Sequence, residues 1–141
     1  MKKYLKAVVS GLCAAALALG CVGCGSSARK VMAYEALMRS DMEALRSPAT
    51  IMKLAREQGA LCEIERLTFF KSLENFDHLR SEGLVRRDTM LFINSIASVC
   101  LPREDSEYMD SRWHELRRQM VIEITEEEEI NHEALEAKRH V

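Results

Sequence analysis

Residues 60–82, ALCEIERLTFFKSLENFDHLRSE, contain the longest apolar pattern with helical spacing in the chain. Apolar side chains recur at steps of three and four residues and spread beyond one stripe. This pattern predicts a central helix that is covered on several sides. Gly83 follows and suits the left-handed position just past a helix end. The apolar positions are Leu61, Ile64, Leu67, Phe69, Phe70, Leu73, Phe76 and Leu79.

Further helices are predicted before this segment. Ser47 can cap a short helix whose first position is Pro48, where the missing N–H costs no hydrogen bond, and Gly59 would end it. Residues 28–46 place apolar side chains three and four positions apart, which predicts another helix.

The C-terminal half is also predicted to be helical, with one alternative. Residues 88–101 are strongly apolar, and Asp88 and Pro102 would bound a buried fourth helix. Frequent β-branched residues leave a strand as the alternative for this stretch. A long last helix would begin near residue 105, although residues 121–124 alternate as a strand does.

These patterns predict an all-α fold, a small bundle of four to five helices over residues 28–141, behind an N-terminal leader. The composition, 48% hydrophobic and 30% charged residues, is typical of a globular chain. Residues 126–141 are expected to form an acidic helix that protrudes into solvent.

Residues 1–20 have the zones of an export signal. Lys2, Lys3 and Lys6 form a positive head, and an apolar run with small residues follows. Two alternatives stay open for this segment. One is an uncleaved transmembrane helix over the uncharged residues 7–25, and the other is a secretory leader without lipid.

The leader ends in Leu17-Ala18-Leu19-Gly20-Cys21. This stretch resembles the lipobox of bacterial lipoproteins, in which small or aliphatic residues precede an obligatory cysteine. The resemblance implies a lipid on the sulfur of Cys21 and cleavage between Gly20 and Cys21. Residues 21–27 would then form the lipidated start and a flexible tether. Ala18 departs from the leucine usual at its position, and Cys24 is a second lipidation candidate.

The lipoprotein resemblance also implies a location. Two or three acyl chains hold a protein durably on a membrane. Val22 follows the cysteine where an aspartate would favour the inner membrane, so we expect the periplasmic side of an outer membrane, or the cell membrane where no outer membrane exists.

The charge of the exported part argues against nucleic-acid binding. Three of the 20 basic residues lie in the leader, so 17 basic residues stand against 22 acidic ones in the remainder. An acidic domain without a basic stripe lacks the electrostatic attraction that nucleic acids require.

Cys62 and Cys100 are the two cysteines of the domain body. Outside the reducing cytosol they could form a disulfide, which is the hypothesis to test. The alternative is two small buried thiols that never meet.

No sequence motif identifies a catalytic, cofactor or metal site. Glu129 and His132 have the Glu-x-x-His spacing of di-iron bundles, but such sites require a second copy. The glutamate run at 126–129, with Glu123, Glu133 and Glu136, could attract cations or a basic partner, but a solvated helix surface is the simpler interpretation.

The sequence therefore favours a non-enzymatic, membrane-anchored interaction or structural module of the cell envelope, with an unidentified protein partner there. The alternative is a small-ligand-binding or enzymatic domain whose site is assembled from residues distant in sequence.

Overall fold

The computed structural model describes residues 16–18, 31–124 and 132–139. This part of the chain forms an α/β fold with one four-stranded sheet in the order β1-β2-β3-β4. The strands are β1 (Ala16–Ala18), β2 (Ala33–Leu37), β3 (Met90–Ser95) and β4 (Met120–Ile124). The helices are α1 (Pro48–Glu57), α2 (Leu61–Ser81), α3 (Arg103–Trp113) and α4 (His132–Arg139).

Three of the strands are parallel to one another. β2 pairs with β3 and β3 with β4 in parallel, whereas β1 pairs with β2 antiparallel. Parallel neighbours need a long crossover connection. Helices α1 and α2 supply it between β2 and β3, and α3 supplies it between β3 and β4.

The prediction of an all-α bundle is wrong. Residues 33–37, 90–95 and 120–124 were assigned to helices and are strands β2, β3 and β4. The alternative of a strand within residues 88–101 is confirmed by β3, and the alternation at residues 121–124 belongs to β4.

The physical reason lies in the chemistry of parallel strands. The apolar runs at residues 90–93 and 120–122 occupy both faces of their strands, and periodicity alone cannot distinguish such short continuous runs from a buried helix. In β3, Leu91, Ile93 and Ser95 are buried, while the alternate residues are less so. The last predicted helix in fact ends at Trp113 and is followed by a 3₁₀ turn, Arg117–Gln119.

The two predicted helices in the centre of the chain are confirmed. Helix α1 begins at Pro48, and Gly59 beyond its end has a φ of 65°. Helix α2 is followed by Gly83 with a φ of 73°, the left-handed conformation that glycine adopts without strain. The side chain of Ser47 makes no capping hydrogen bond.

The core consists of two apolar clusters that share helix α2. The larger cluster packs α2 and α3 on one side of the sheet, and the smaller one packs α1 and the start of α2 near the end of β3. The larger contains Ala36, Phe69, Leu73, Phe76, Val85, Leu91, Ile93, Met109, Trp113 and Leu116. The smaller contains Leu45, Ile51, Ala55, Ala60, Ile64, Ile96 and Val99.

The predicted leader is described only in part. Strand β1 lies within residues 1–20, whereas Cys21 and Cys24 lie outside the described residues. Among the helices that the structure describes, none combines the length and the apolar character needed to cross a bilayer.

Candidate functional site

The sheet has two chemically different faces. The covered face packs against α2 and α3 and includes Ala36, Leu91 and Ile93, each no more than 2% exposed. Side chains alternate along a strand, so the residues between these point to the opposite face. The opposite face includes Glu35, Phe92, Asn94, Val121 and Glu123, which are half-buried or exposed.

Three polar residues of the opposite face lie on adjoining strands, at the middle of β2 and near the ends of β3 and β4. The Nδ2 atom of Asn94 donates a hydrogen bond to Oε1 of Glu35 over 3.1 Å. Glu123 is the register partner of Asn94 on the neighbouring strand. Paired strands lie about 4.8 Å apart, so the two side chains are neighbours on this face. We call Glu35, Asn94 and Glu123 the carboxyl-end cluster.

The position of the carboxyl-end cluster agrees with a general rule for parallel sheets. Each of its residues lies within the last three positions of its strand. Ligands and catalytic residues in α/β proteins lie at the carboxyl ends of parallel strands. Asn94 and Glu123 lie one residue before these ends, and Glu35 lies at the middle of β2.

The sequence patterns did not predict this cluster, although a local signal exists. Each of its members directly follows three apolar residues: Glu35 follows Met-Ala-Tyr, Asn94 follows Leu-Phe-Ile, and Glu123 follows Met-Val-Ile. A polar residue that interrupts an apolar strand, as Glu35 and Glu123 do, is typical of a strand with one uncovered face. Glu123 was instead grouped with the glutamate run of a predicted helix, and that assignment is wrong.

The donor atoms of the cluster are all oxygen ligands of the kind that hard cations prefer. Two carboxylates and the amide oxygen of Asn94 suit Mg²⁺, Mn²⁺ or Ca²⁺ rather than a soft metal. Among the residues described, no three His, Cys, Asp or Glu side chains gather as a metal site. The carboxyl-end cluster combines two acids with an amide.

A second polar group lies on the covered side, at the same end of β3. Glu65 of α2 is only 1% exposed, and its carboxylate accepts hydrogen bonds from the Ser95 hydroxyl at 2.5 Å and the Ile96 N–H at 2.9 Å. The Nζ of Lys138 lies 3.0 Å from Glu65 and also donates to the Ile96 carbonyl oxygen. We call Glu65, Ser95, Ile96 and Lys138 the Glu65 network.

Both charged side chains of the Glu65 network are buried. The side chain of Lys138 is 8% exposed and that of Glu65 is 1% exposed. Burying two charges is costly unless they pair with each other and satisfy their other hydrogen bonds, as these do. The network thus joins α2, the end of β3 and α4.

The two cysteines of the domain lie near each other with free thiols. The Cys62 Sγ atom is 3.7 Å from the carbonyl oxygen of Cys100. Burial raises the pKa of the Cys62 thiol, and the nearby carboxylates of Glu63 and Asp105 raise it further. Asp105 is held by both carboxylate oxygens to Arg66 at 2.9 Å. The disulfide stays a prediction.

The other candidate residues from the sequence, in the glutamate-rich segment near the C-terminus, form no site among the residues that the structure describes. Glu129 and the run at 126–129 lie outside the described residues, and so does the side chain of His132. Glu133 and Glu136 are exposed on α4, where Glu136 pairs with Arg139.

The geometry thus defines an α/β protein with a polar site at the carboxyl ends of its parallel strands. Comparison of this chain with protein-family models, with curated proteins and with solved structures found no match.

Proposed function

We propose that this domain binds a divalent cation at the carboxyl-end cluster. The ligands are the carboxylates of Glu35 and Glu123 and the amide oxygen of Asn94. The observation that carries the proposal is the hydrogen bond of 3.1 Å between Asn94 and Glu35, with Glu123 in register beside Asn94. This proposal follows the alternative interpretation of the sequence, a ligand-binding domain whose site is assembled from residues distant in sequence.

The number of protein ligands supports a catalytic or substrate-binding role over a structural one. Three oxygen ligands leave several positions of a six-coordinate ion open. Mg²⁺ typically binds through one or two carboxylates and completes its shell with water and substrate phosphates. A ligand that offers phosphate oxygens is therefore the class that these open positions favour.

Calorimetric titration of the purified full chain with Mn²⁺ tests the cation site. We expect saturable binding by the unaltered protein. Glu35→Gln and Glu123→Gln should each weaken it by at least the 10- to 100-fold (order of magnitude) typical even for groups that only support a metal ligand.

Glu74→Gln is the matched control, because Glu74 is an exposed glutamate of α2 that pairs with Lys71. Its affinity for Mn²⁺ should equal that of the unaltered protein. Equal binding by Glu35→Gln, Glu123→Gln and Glu74→Gln would show that the cation binds elsewhere, and no binding by the unaltered protein would refute the proposal.

We also propose that the chain is a membrane-anchored lipoprotein, supported by the lipobox resemblance at residues 17–21. Acyl chains would confine the domain to a membrane surface and raise its effective concentration near partners in the same envelope. The two proposals are compatible, because the cation site concerns what the domain binds and the anchor concerns where the protein is located.

Incorporation of labelled palmitate in producing cells tests the anchor. Cys21→Ser should abolish labelling, whereas Cys24→Ser, the matched control three residues away, should retain it. Labelling that survives Cys21→Ser and is lost in Cys24→Ser would move the anchor to the second candidate. A mature protein that begins at Met1 with both thiols unmodified would eliminate it.

A further inference from the structure

The Glu65 network and the carboxyl-end cluster meet at consecutive residues of β3. Asn94 belongs to the cluster, and Ser95 and Ile96 belong to the network. Because side chains alternate along a strand, Asn94 points to the opposite face while Ser95 points to Glu65 on the covered face. The two groups are thus joined through the backbone of the strand end.

The network holds that backbone at one residue, Ile96. Ile96 is the first residue beyond β3, so neither its N–H nor its carbonyl continues the sheet pairing. The Glu65 carboxylate accepts from the N–H, and the Lys138 ammonium donates to the carbonyl. The N–H of this buried residue is thereby satisfied by Glu65, whereas its carbonyl oxygen accepts from Lys138 and also from the Val99 N–H at 3.1 Å.

From this arrangement we infer that Glu65 and Lys138 are positioning residues for the side chain of Asn94. They hold the end of β3 so that the amide of Asn94 reaches Glu35 and lies on the strand next to Glu123. The inference rests on the proposed cation site for its consequence, since a displaced ligand lowers cation affinity. The position of Asn94 can be measured without any cation.

The arrangement also couples helix α4 to the site. Lys138 lies on α4, 44 positions beyond Asn94 in the chain, and contacts no residue of the carboxyl-end cluster in the interactions described. Undocking of α4 would remove the Lys138 ammonium from the Ile96 carbonyl and from Glu65. A displacement of α4 should therefore change the position of the Asn94 side chain on the other face of the sheet.

The test compares Lys138→Met, Lys138→Arg and the double variant Glu65→Gln with Lys138→Met in the full chain. Lys71→Met is the matched control, because Lys71 forms an exposed ion pair on α2. The first readout is the ¹⁵N resonance of the Asn94 side-chain amide without cation, assigned by its loss in Asn94→Asp. The second is Mn²⁺ affinity by calorimetry.

We expect the Asn94 resonance to shift in Lys138→Met and to stay in place in Lys71→Met. Mn²⁺ affinity should fall by roughly 10- to 100-fold in Lys138→Met, as is typical for the loss of a group supporting a metal ligand. Lys138→Arg keeps the positive charge and the hydrogen-bond donors, so it should retain most of the Mn²⁺ affinity and an Asn94 resonance close to that of the unaltered protein.

The double variant keeps the test decisive if Lys138→Met alone does not fold. It removes the ion pair without leaving a buried unpaired charge, so it should fold and still show the shifted resonance. A folded double variant with the Asn94 resonance unmoved would overturn the inference. Failure of the unaltered protein to bind Mn²⁺ would instead refute the cation site, while the resonance would still decide the positioning role.

Discussion

The covered face of the sheet and the opposite face come from the same strands but differ in chemistry. On β3, Ile93 is fully buried under the helices, whereas Asn94, the next residue, bonds to Glu35 on the other side. Burial of the first kind of residue stabilises the fold through the hydrophobic effect. The second kind contributes less to stability through burial and, in the proposed site, would supply the cation ligands. Three strands thus serve both purposes through alternation alone.

The largest expected effect tests this contrast with one residue type. Phe76→Ala should lower the free energy of unfolding by about 3–5 kcal/mol, because Phe76 is 1% exposed beneath the covered face. Phe92→Ala, on the half-buried opposite face, should cost less than half as much. Urea denaturation measures both, and equal losses would mean that the opposite face is as well packed as the covered one.

A smaller stability effect concerns the predicted disulfide. Cys62 and Cys100 are 38 positions apart, so a bridge would stabilise the protein by up to about 4 kcal/mol in the chain-entropy model. We expect a mild thiol oxidant to remove two hydrogens from the protein and to raise its melting temperature. The Cys100→Ser variant should show neither change, and two freely alkylated thiols in the native protein from the producing cells would exclude the bridge.

A third test concerns the strand end that joins the two faces. Ser95→Ala removes a buried hydrogen bond to the Glu65 carboxylate and should cost about 1.5–3 kcal/mol, the range for bonds to charged groups. Ser111→Ala removes an exposed hydroxyl that bonds only to a helix carbonyl, so it should change stability by less than about 0.5 kcal/mol. Thermal unfolding of both variants measures the difference.

The smallest effect is kinetic and follows from the pKa of Cys62. Because the thiolate is the reactive form, a raised pKa leaves less of it at any pH below that value. Alkylation of Cys62 by iodoacetamide should therefore be slow near pH 8 and continue to accelerate above the pH at which an ordinary cysteine levels off. Peptide mass mapping over a pH series follows Cys62 alone, and an early plateau would contradict the prediction.

Strand β1 offers a link between the leader and the sheet. Residues 16–18 pair with β2 in the structure and also belong to the segment predicted to be removed on export. Cleavage after Gly20 would take β1 away and leave β2 as an edge strand with unpaired backbone groups. The lipoprotein proposal therefore implies a three-stranded parallel sheet in the mature protein.

The sequence predicted the helices better than the strands for a local reason. Helix α1 is bounded by Pro48 and Gly59, and α2 has a long apolar pattern ended by Gly83. A helix satisfies its hydrogen bonds within its own segment, so such local signals suffice to locate it.

The candidate site could not be predicted from the sequence because its residues come from distant segments of the chain. Glu35 and Asn94 are 59 positions apart, and Glu123 follows on a third strand. The apolar residues before each of them do not show that the three lie together, and Glu65 and Lys138 resemble the charged residues of any solvated helix. Their buried pairing depends on where α2 and α4 pack.

The amino-acid order alone determined the ends of two helices, most of the apolar residues that would be buried, and the leader motif, because each depends on neighbouring residues. Only the tertiary structure decided that residues 33–37, 90–95 and 120–124 are strands, since a parallel strand acquires its hydrogen bonds from distant segments. The same pairing brought two acids and an amide to one edge of the sheet.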